Sequence, residues 1–456
     1  MFVWGDTMND TIAAISTTMG VGAISIIRVS GENALNIVNK IFKGIDLTKV
    51  NSHTINYGHI IDNNEIIDEV LVTVMKAPRT FTRDDVVEIN THGGIAITNK
   101  VLELLLINGC RLAQPGEFTK RAFLNGRIDL VEAEGVMDLI NAKTEKSRKL
   151  AINQVNGDVS ELIKSLRQKI LEILANIEVN IDYPEYEDID EMTNEIVLPN
   201  LDIIESEINN ILNKSEDCKI IKEGIKTIII GSPNVGKSSI LNKLLNEDKA
   251  IVTDIAGTTR DIVEGTIQID GIILNMIDTA GIRKTDDIVE SIGVKKSIDL
   301  IDEADLILYV LNNNENITEE EIEILNKIKN KNSIIIVNKI DLDNNLDLDQ
   351  LPNYIEMSIK DNVGIDNLKN EIKKMFNLEK IESNDLTYLS SARAISLLKK
   401  SLETLNEART SIHNNVPIDI VGIDLKNTWK ILGEIIGETY TDELIDQLFS
   451  RFCLGK

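Results

Sequence analysis

The stretch "KTIIIGSPNVGKSSILNKLLN" (226–246) constrains this chain more than any other. A short apolar run reads as a strand and is followed by Gly-x-x-x-x-Gly-Lys-Ser. Helical spacing then begins at once. In that strand-loop-helix setting the motif is a phosphate-binding loop. Gly231 and Gly236 let backbone N–H groups curl round a phosphate chain, with Asn234, Val235 and Ser239 completing the cradle. Lys237 supplies a point charge for the β- and γ-phosphates, which makes it a catalytic residue. The Ser238 hydroxyl is placed to ligate Mg²⁺.

Base identity follows from "NKID" (338–341). The Asp341 carboxylate can accept two hydrogen bonds from guanine N1–H and its exocyclic amine. Adenine lacks that donor pair and would strand the carboxylate, a discrimination of roughly 10⁴–10⁵. Asn338 and Lys339 buttress the base and the phosphate loop, and Ser358 in "MSIKDNVG" belongs to the base-binding loop. In "DTAG" (278–281), Asp278 reaches the Mg²⁺ shell and the Gly281 N–H reaches the γ-phosphate. Thr279 and Ala280 lie between them. "TDIAGTTRD" carries Thr253, Asp254, Ile255, Ala256 and Gly257 up to the switch hydroxyls Thr258 and Thr259. The boxes occur in order, several at the end of a strand-like run, as a GTPase requires.

Ile282 follows Gly281, where Ras-like GTPases place a glutamine that orients the attacking water. Isoleucine cannot do this. Arg283, Asp286, Asp287 and Glu290 are the downstream alternatives. Asn234 offers an amide oxygen beside the phosphates. It either caps the loop or helps hold a monovalent cation that stands in for an arginine finger.

Around this unit the texture differs. At about 150 residues per domain, 456 residues suggest roughly three domains. Residues 1–126 mix strand-like runs ("AISIIRVSG", "DDVVEINTHGG") with helices ("ENALNIVNKIF", "IAITNKVLELLLING") and read as α+β. Residues 127–218 and 379–456 read as helical, so the GTPase unit at 219–378 interrupts a discontinuous helical domain. Val421, Leu425, Trp429, Leu432 and Ile436 step by three or four and predict one apolar helix stripe. The expected fold class is therefore α/β and α multidomain, with a Ras-like P-loop domain on a mainly parallel sheet.

Composition narrows the setting. Hydrophobic residues make up 43% of the chain but aromatics only 4%, so the cores must be built from Ile, Leu and Val. No run approaches the ~18 apolar residues of a membrane span. The start "MFVWGDTMND" lacks the features of a signal peptide, and Met8 is an alternative initiator. Three distant cysteines (Cys110, Cys218, Cys453) argue against a disulfide framework or zinc site and for a cytoplasmic setting. A net charge of −26 opposes nucleic-acid binding overall. Residues 111–149 depart from it, with eight Lys/Arg against six acids.

The inserted GTPase, "PGEFTKRAFLNGRIDLVEAE" (115–134) before it and the closing "FCLGK" together resemble the MnmE (TrmE) family of tRNA-modifying GTPases, from about residue 9 onward. The family's usual ending has Ile where this chain has Leu454. The resemblance implies K⁺ activation, with K⁺ held by Asn234, Thr253, Ile255 and Thr258. It implies Mg²⁺ at Ser238 and Thr259, and Glu290 as the catalytic glutamate. It implies a 5-formyl-tetrahydrofolate or related one-carbon folate at Arg28, Glu88, Arg127 and Lys456. Cys453 then lies near the one-carbon chemistry, either as a catalytic thiol or as a small packing residue. The implied partners are a second copy in a homodimer, an MnmG-type FAD protein in a heterotetramer, and tRNA. No membrane is among them. The implied task is an aminomethyl-type group at C5 of the wobble uridine. The alternatives are a ribosome-assembly GTPase, which should carry a basic RNA-binding module, and a non-catalytic folate-binding scaffold, which Lys237, Ser238, Asp278 and Asp341 oppose. The terminal Lys does not suit prenylation of Cys453. The tail is expected to fold back on the N-terminal domain, anchored by Phe452 and Leu454.

Overall fold

The β-branched residues that the sequence concentrates in short runs build two sheets. The computed structural model describes residues 10–182, 194–247, 263–269, 271–277, 300–376, 378 and 387–455. Its helices, in chain order, are α1 (Ala34–Ile41), α2 (Ile95–Ile107), α3 (Glu117–Leu124), α4 (Leu130–Asn141), α5 (Glu145–Val155), α6 (Asp158–Asp182), α7 (Asn194–Glu223), α8 (Lys237–Glu247), α9 (Glu319–Ile328), α10 (Ile365–Met375), α11 (Ala392–His413), α12 (Ile418–Ile436) and α13 (Asp442–Phe449). The chain divides into two units. One comprises 1–137, 154–205 and 396–456, and the other 138–153 and 206–395.

In the first unit, strands β1 (Ile12–Ile15), β2 (Gly22–Ser30), β3 (Phe42–Lys43), β4 (Thr54–Asp62), β5 (Glu65–Met75), β6 (Val86–Gly93) and β7 (Arg111–Leu112) form one sheet. Their order is β3-β4-β5-β6-β2-β1-β7. All neighbours are antiparallel except β1 and β7. Period-two alternation puts Ile27, Val29, Val70, Val72, Val74, Val87 and Ile89 on one face, where they pack with α1 and α2 in a single core. Arg28 and Glu88 are out of phase with those residues. They stand side by side across β2 and β6 on the opposite face.

Helices α6 and α12 of the same unit also pack together. Val421, Leu425, Leu432 and Ile436 are buried as the stripe predicts. Trp429 is only half-buried. Its ring carries the Arg167 guanidinium at 4.2 Å. Arg167 also donates to the Trp429 carbonyl and pairs with Glu438. A planar cation on an indole face is a stable way to bury arginine, because the stem packs while the donors stay satisfied.

The second unit holds β8 (Ile225–Ile230), β9 (Val263–Ile269), β10 (Ile272–Ile277), β11 (Leu306–Asn312), β12 (Ser333–Asn338) and β13 (Tyr354–Met357). They are ordered β13-β12-β11-β8-β10-β9 and are parallel except for the β9–β10 hairpin. Every residue of β11 is buried, as expected of a central strand covered on both faces. This is the mainly parallel sheet that the motif order implies.

Candidate functional site

The described candidate nucleotide-binding residues gather where parallel strands end. β8 runs out at Ile230 and the loop 231–236 leads straight into α8. Gly231 has φ +151°, and a Cβ there would lie 2.2 Å from the Val310 carbonyl oxygen. Asn234 takes φ +61° inside the loop. Gly236 is required for a reason that motif reading does not give. A Cβ on it would meet Asn338 Nδ2 at 2.2 Å. The space is needed because Asn338, the last residue of β12, donates from Nδ2 to the Val235 carbonyl at 2.8 Å. The base-specificity motif is thereby bonded to the phosphate loop.

Lys237 Nζ donates to the carbonyls of Gly231 and Ser232, each at 2.8 Å. The ammonium thus lies over the loop where phosphate oxygens would replace those carbonyls. Ser232 Oγ donates to Glu321 Oε1 at 2.6 Å. Glu321 closes a capping box with Thr318 at the start of α9. Neither residue was singled out in the sequence, and the contact with the phosphate loop spans 89 positions. Ser238 and Ser239 occupy the first turn of α8, whose N-terminal N–H groups suit an anion.

Asp341 is held by Ser358, whose hydroxyl donates to Oδ1 at 2.9 Å. Lys360 Nζ stands 3.6 Å from Oδ2. The Ser358 hydrogen bond, with Lys360 behind it, keeps the Asp341 carboxyl below the usual carboxylate range. Asp341 is therefore an acceptor at any physiological pH. Ser358 is itself fully buried, and a two-way backbone bridge with Val363 shapes its loop. Lys339 adopts φ +64°. Asn338 Oδ1 is buried without a hydrogen-bond partner among the described residues. An orphaned acceptor beside the loop fits a site that a ligand or water completes. Thr253, Asp254, Ile255, Ala256, Gly257, Thr258 and Thr259 lie outside the described residues, as do Asp278, Thr279, Ala280, Gly281, Glu290 and Lys456.

A second constellation lies in the first unit. Both contacts that Arg28 makes with Glu88, at 2.9 and 2.8 Å, fall on Oε1. Arg28 Nη1 also donates to the Gly455 carbonyl at 3.3 Å, and Ser16 Oγ donates to the same oxygen at 3.1 Å. The Arg28 guanidinium stands 5.7 Å from the Phe118 ring centroid. The C-terminal tail therefore reaches the sheet of its own chain. Gly455 adopts φ +86°, and a Cβ there would lie 2.6 Å from the Ile15 carbonyl oxygen. Gly116 does the same at the start of α3, with φ +70° and no room for a Cβ beside the Phe449 carbonyl. Its N–H donates to the Cys453 carbonyl at 3.2 Å.

Phe452 packs with Phe123, Leu130, Ile445 and Phe449. Leu454 does not anchor the tail as expected, being 48% exposed. One buried aromatic next to a bonded backbone suffices. Cys453 is exposed, whereas Cys110 is buried and its thiol is pushed up to about 12 by that burial. Arg127 is not joined to Arg28 by any contact. It faces Phe81 at 4.8 Å and donates to the Phe81 carbonyl. Phe81 and Phe118 belong to one small apolar cluster. Ser16 was missed because nothing local distinguishes it. Phe118 lay within "PGEFTKR" but its partner is distant in sequence.

The rest of that motif builds an ion network. Arg121, 5% exposed, pairs with Asp10 and Glu117, and Arg111 pairs with the same two acids. Burial pushes Asp10 and Glu117 upward, but hydrogen bonds from Arg111, with Arg121 adding to them, leave both below the usual carboxylate range.

Known proteins match this arrangement along almost the whole chain. A family model described as the GTP-binding protein TrmE N-terminus matches residues 11–127, and one described as the MnmE helical domain matches 130–453. A tRNA modification GTPase MnmE from Bacillus cytotoxicus is 55% identical over 455 residues, covering 98% of this chain and 99% of the relative. The protein of the same name from Staphylococcus aureus (strain Newman) is 53% identical over 456 residues, with the same coverage. Among solved structures, the FeoB G-domain from Methanococcus jannaschii aligns at 24% identity with a TM-score of 0.24, covering 34% of this chain and 98% of that one.

Proposed function

The chain belongs to the MnmE (TrmE) family of tRNA modification GTPases, and from that premise we propose a K⁺-activated GTPase that works with an MnmG-type flavoprotein. Together they install an aminomethyl-type group at C5 of the wobble uridine of certain tRNAs. The observation that carries this reading is the return of the tail, where the Gly455 carbonyl is bonded by both Ser16 and Arg28 beside Glu88. That cluster pairs a cation with a carboxylate whose Oε2 makes no contact with a described residue. A folate has the matching groups, with amine and ring N–H donors on its pterin edge and carboxylates at its other end. Arg28, Glu88, Arg127 and Lys456 would hold it, with Cys453 nearby. The one-carbon unit and the redox chemistry would come from the folate and from the partner's FAD.

In the GTPase unit, Ser238 and Thr259 would hold Mg²⁺. Asn234, Thr253, Ile255 and Thr258 would hold K⁺, and Glu290 would position water where Ile282 cannot. The guanine would be read by Asp341, with Asn338, Lys339 and Ser358 around it. We assign residues 1–126 to folate binding and dimerisation, 219–378 to the GTPase, and 127–218 with 379–456 to a discontinuous helical domain. Dimerisation has support in the sheet face opposite the core of the first unit. There the exposed Tyr57 and Leu71 are paired across β4 and β5, with the exposed Ile55 two residues along from Tyr57. Contiguous exposed apolar surface on that scale suits a protein contact. No described helix is long and apolar enough to cross a membrane, and the work would be done in the cytoplasm. The test is nucleoside analysis of tRNA from cells lacking the protein. Loss of the C5 substituent at the wobble position is expected, and unchanged wobble uridines would refute the proposal.

A further inference from the structure

Four of the eight cations of segment 111–149 are neutralised on folding, while Lys143, Lys146, Lys149 and Arg127 are not ion-paired with a described carboxylate. Arg111, Lys120, Arg121 and Arg148 are each paired with a carboxylate, on Asp10 or Glu117, Asp446, Asp10 and Glu145 respectively. Arg127 is different. It lines a cleft of ≈ 480 Å³ together with Arg79, Arg83, Phe81, Pro78 and Met75. None of the three arginines is ion-paired with a described carboxylate. Arg83 and Arg127 donate instead to the neutral carbonyls of Asn125 and Phe81. The nearby acids are engaged elsewhere, Asp85 by the Ala77 N–H and Asp84 by Asn125 and Arg121. Glu132 feels Arg127 only at longer range. All three arginines are exposed. Arg83 holds φ +63°, an uncommon backbone state for a residue with a long side chain.

We infer that the Arg79 and Arg83 side of this cleft is where the phosphate backbone of tRNA docks on the first unit, Arg127 being left to the proposed folate. The inference rests on the tRNA-modifying reading above and names the surface that it requires. In a chain of net charge −26, an RNA can approach only where positive charge is concentrated and not already neutralised. Guanidinium groups match phosphate oxygens with two parallel hydrogen bonds, and they remain charged at every relevant pH. Phe81 holds the Arg127 guanidinium by its face, and Nη1 is spent on the Phe81 carbonyl. Arg127 also faces the apolar cluster that carries Phe118, the ring beside Arg28. Phosphates bound at the cleft would thus lie on the same cluster that backs the proposed one-carbon site.

The test is the affinity of the full chain for unmodified tRNA, measured by fluorescence anisotropy across a KCl series. Each lost phosphate contact should lower the slope of log K against log salt by about 0.7–0.9. Arg79→Gln/Arg83→Gln should therefore weaken binding and lower the slope by about 1.4–1.8. Arg79→Lys/Arg83→Lys should keep the slope, since the charge remains. Arg79→Glu alone should weaken binding by at least as much as Arg79→Gln. Arg79 makes no hydrogen bond to a described residue, so this variant separates RNA contact from loop folding. The Lys143→Gln/Lys146→Gln/Lys149→Gln triple variant should lose less, since those lysines belong to the other unit and do not line the cleft. Wild-type slope and affinity in the double Gln variant, or a loss confined to the lysine variant, would overturn the inference. So would lost affinity for formyl-tetrahydrofolate with tRNA binding intact, which would make the cleft a site for folate carboxylates. A wild-type chain that binds no tRNA would bring down the tRNA-modifying reading together with this one, whereas an unaffected arginine variant would bring down the cleft alone.

Discussion

In the proposed reading Asp341 selects the base that the GTPase unit accepts, and its chemistry can be inverted. Asp341→Asn replaces one acceptor by a donor. GTP affinity should fall by two or more orders of magnitude, within the roughly 10⁴–10⁵ that such polar mismatches produce. Xanthosine triphosphate, with a carbonyl in place of the exocyclic amine, should recover binding in the same calorimetric assay. Asn234 tests the cation. Turnover should be much faster in KCl than in NaCl, because charge stabilisation of the arginine-finger kind is worth about 10³–10⁵. Asn234→Ala should bring the two rates together, and equal wild-type rates in both salts would exclude K⁺ activation. These residues were legible because a phosphate loop and a base-reading motif occur at fixed offsets from strand ends. Gly236 was legible as a glycine of the loop, but not as the opening through which Asn338 reaches Val235.

At the scale of elements, α3 is tied to the N-terminal strand by charge and to α13 by aromatic packing. Arg121 is the centre of the first connection. Arg121→Ala would take one of two counter-ions from the partly buried Asp10 and Glu117, a loss smaller than the about 3–5 kcal/mol of an uncompensated buried charge because Arg111 still holds both acids. The pH dependence has a definite sign. A carboxylate whose folded pKa is depressed stabilises the fold above its unfolded pKa, and this is lost as pH falls through the folded value. Both acids are depressed. Wild type should therefore lose the contribution on acidification below about pH 4. Arg121→Ala should show a smaller difference between its unfolding free energies at pH 7 and pH 3.5. Helical periodicity found the α12 stripe, yet it treated Trp429 like its neighbours. A cation from another helix keeps that ring half-buried, and no pattern within one helix contains such a partner.

At the scale of the whole molecule, the tail tests whether the two proposed chemistries are separable. A chain ending after Phe452 loses the Gly455 carbonyl that Ser16 and Arg28 bind. It keeps the Phe452 ring packed in its cluster. K⁺-stimulated GTP hydrolysis should persist in this variant, while affinity for formyl-tetrahydrofolate drops and wobble modification in complemented cells is lost. Normal folate affinity and normal modification would show that the tail has no part in the site.

The GTPase character could be read from residue order alone. Phosphate and guanine recognition depends on backbone freedom at particular glycines and on the donors and acceptors of single side chains, and both are local properties. The alternation of short apolar runs with helices likewise made the parallel sheet readable. Only the tertiary structure decided which charges remain available. Lys120 is neutralised by Asp446, 326 residues away, and Arg121 by Asp10, 111 residues away. Arg79, Arg83 and Arg127 come together without such partners. Electrostatic character depends on distance in space, and residue order does not contain that distance until the chain has folded.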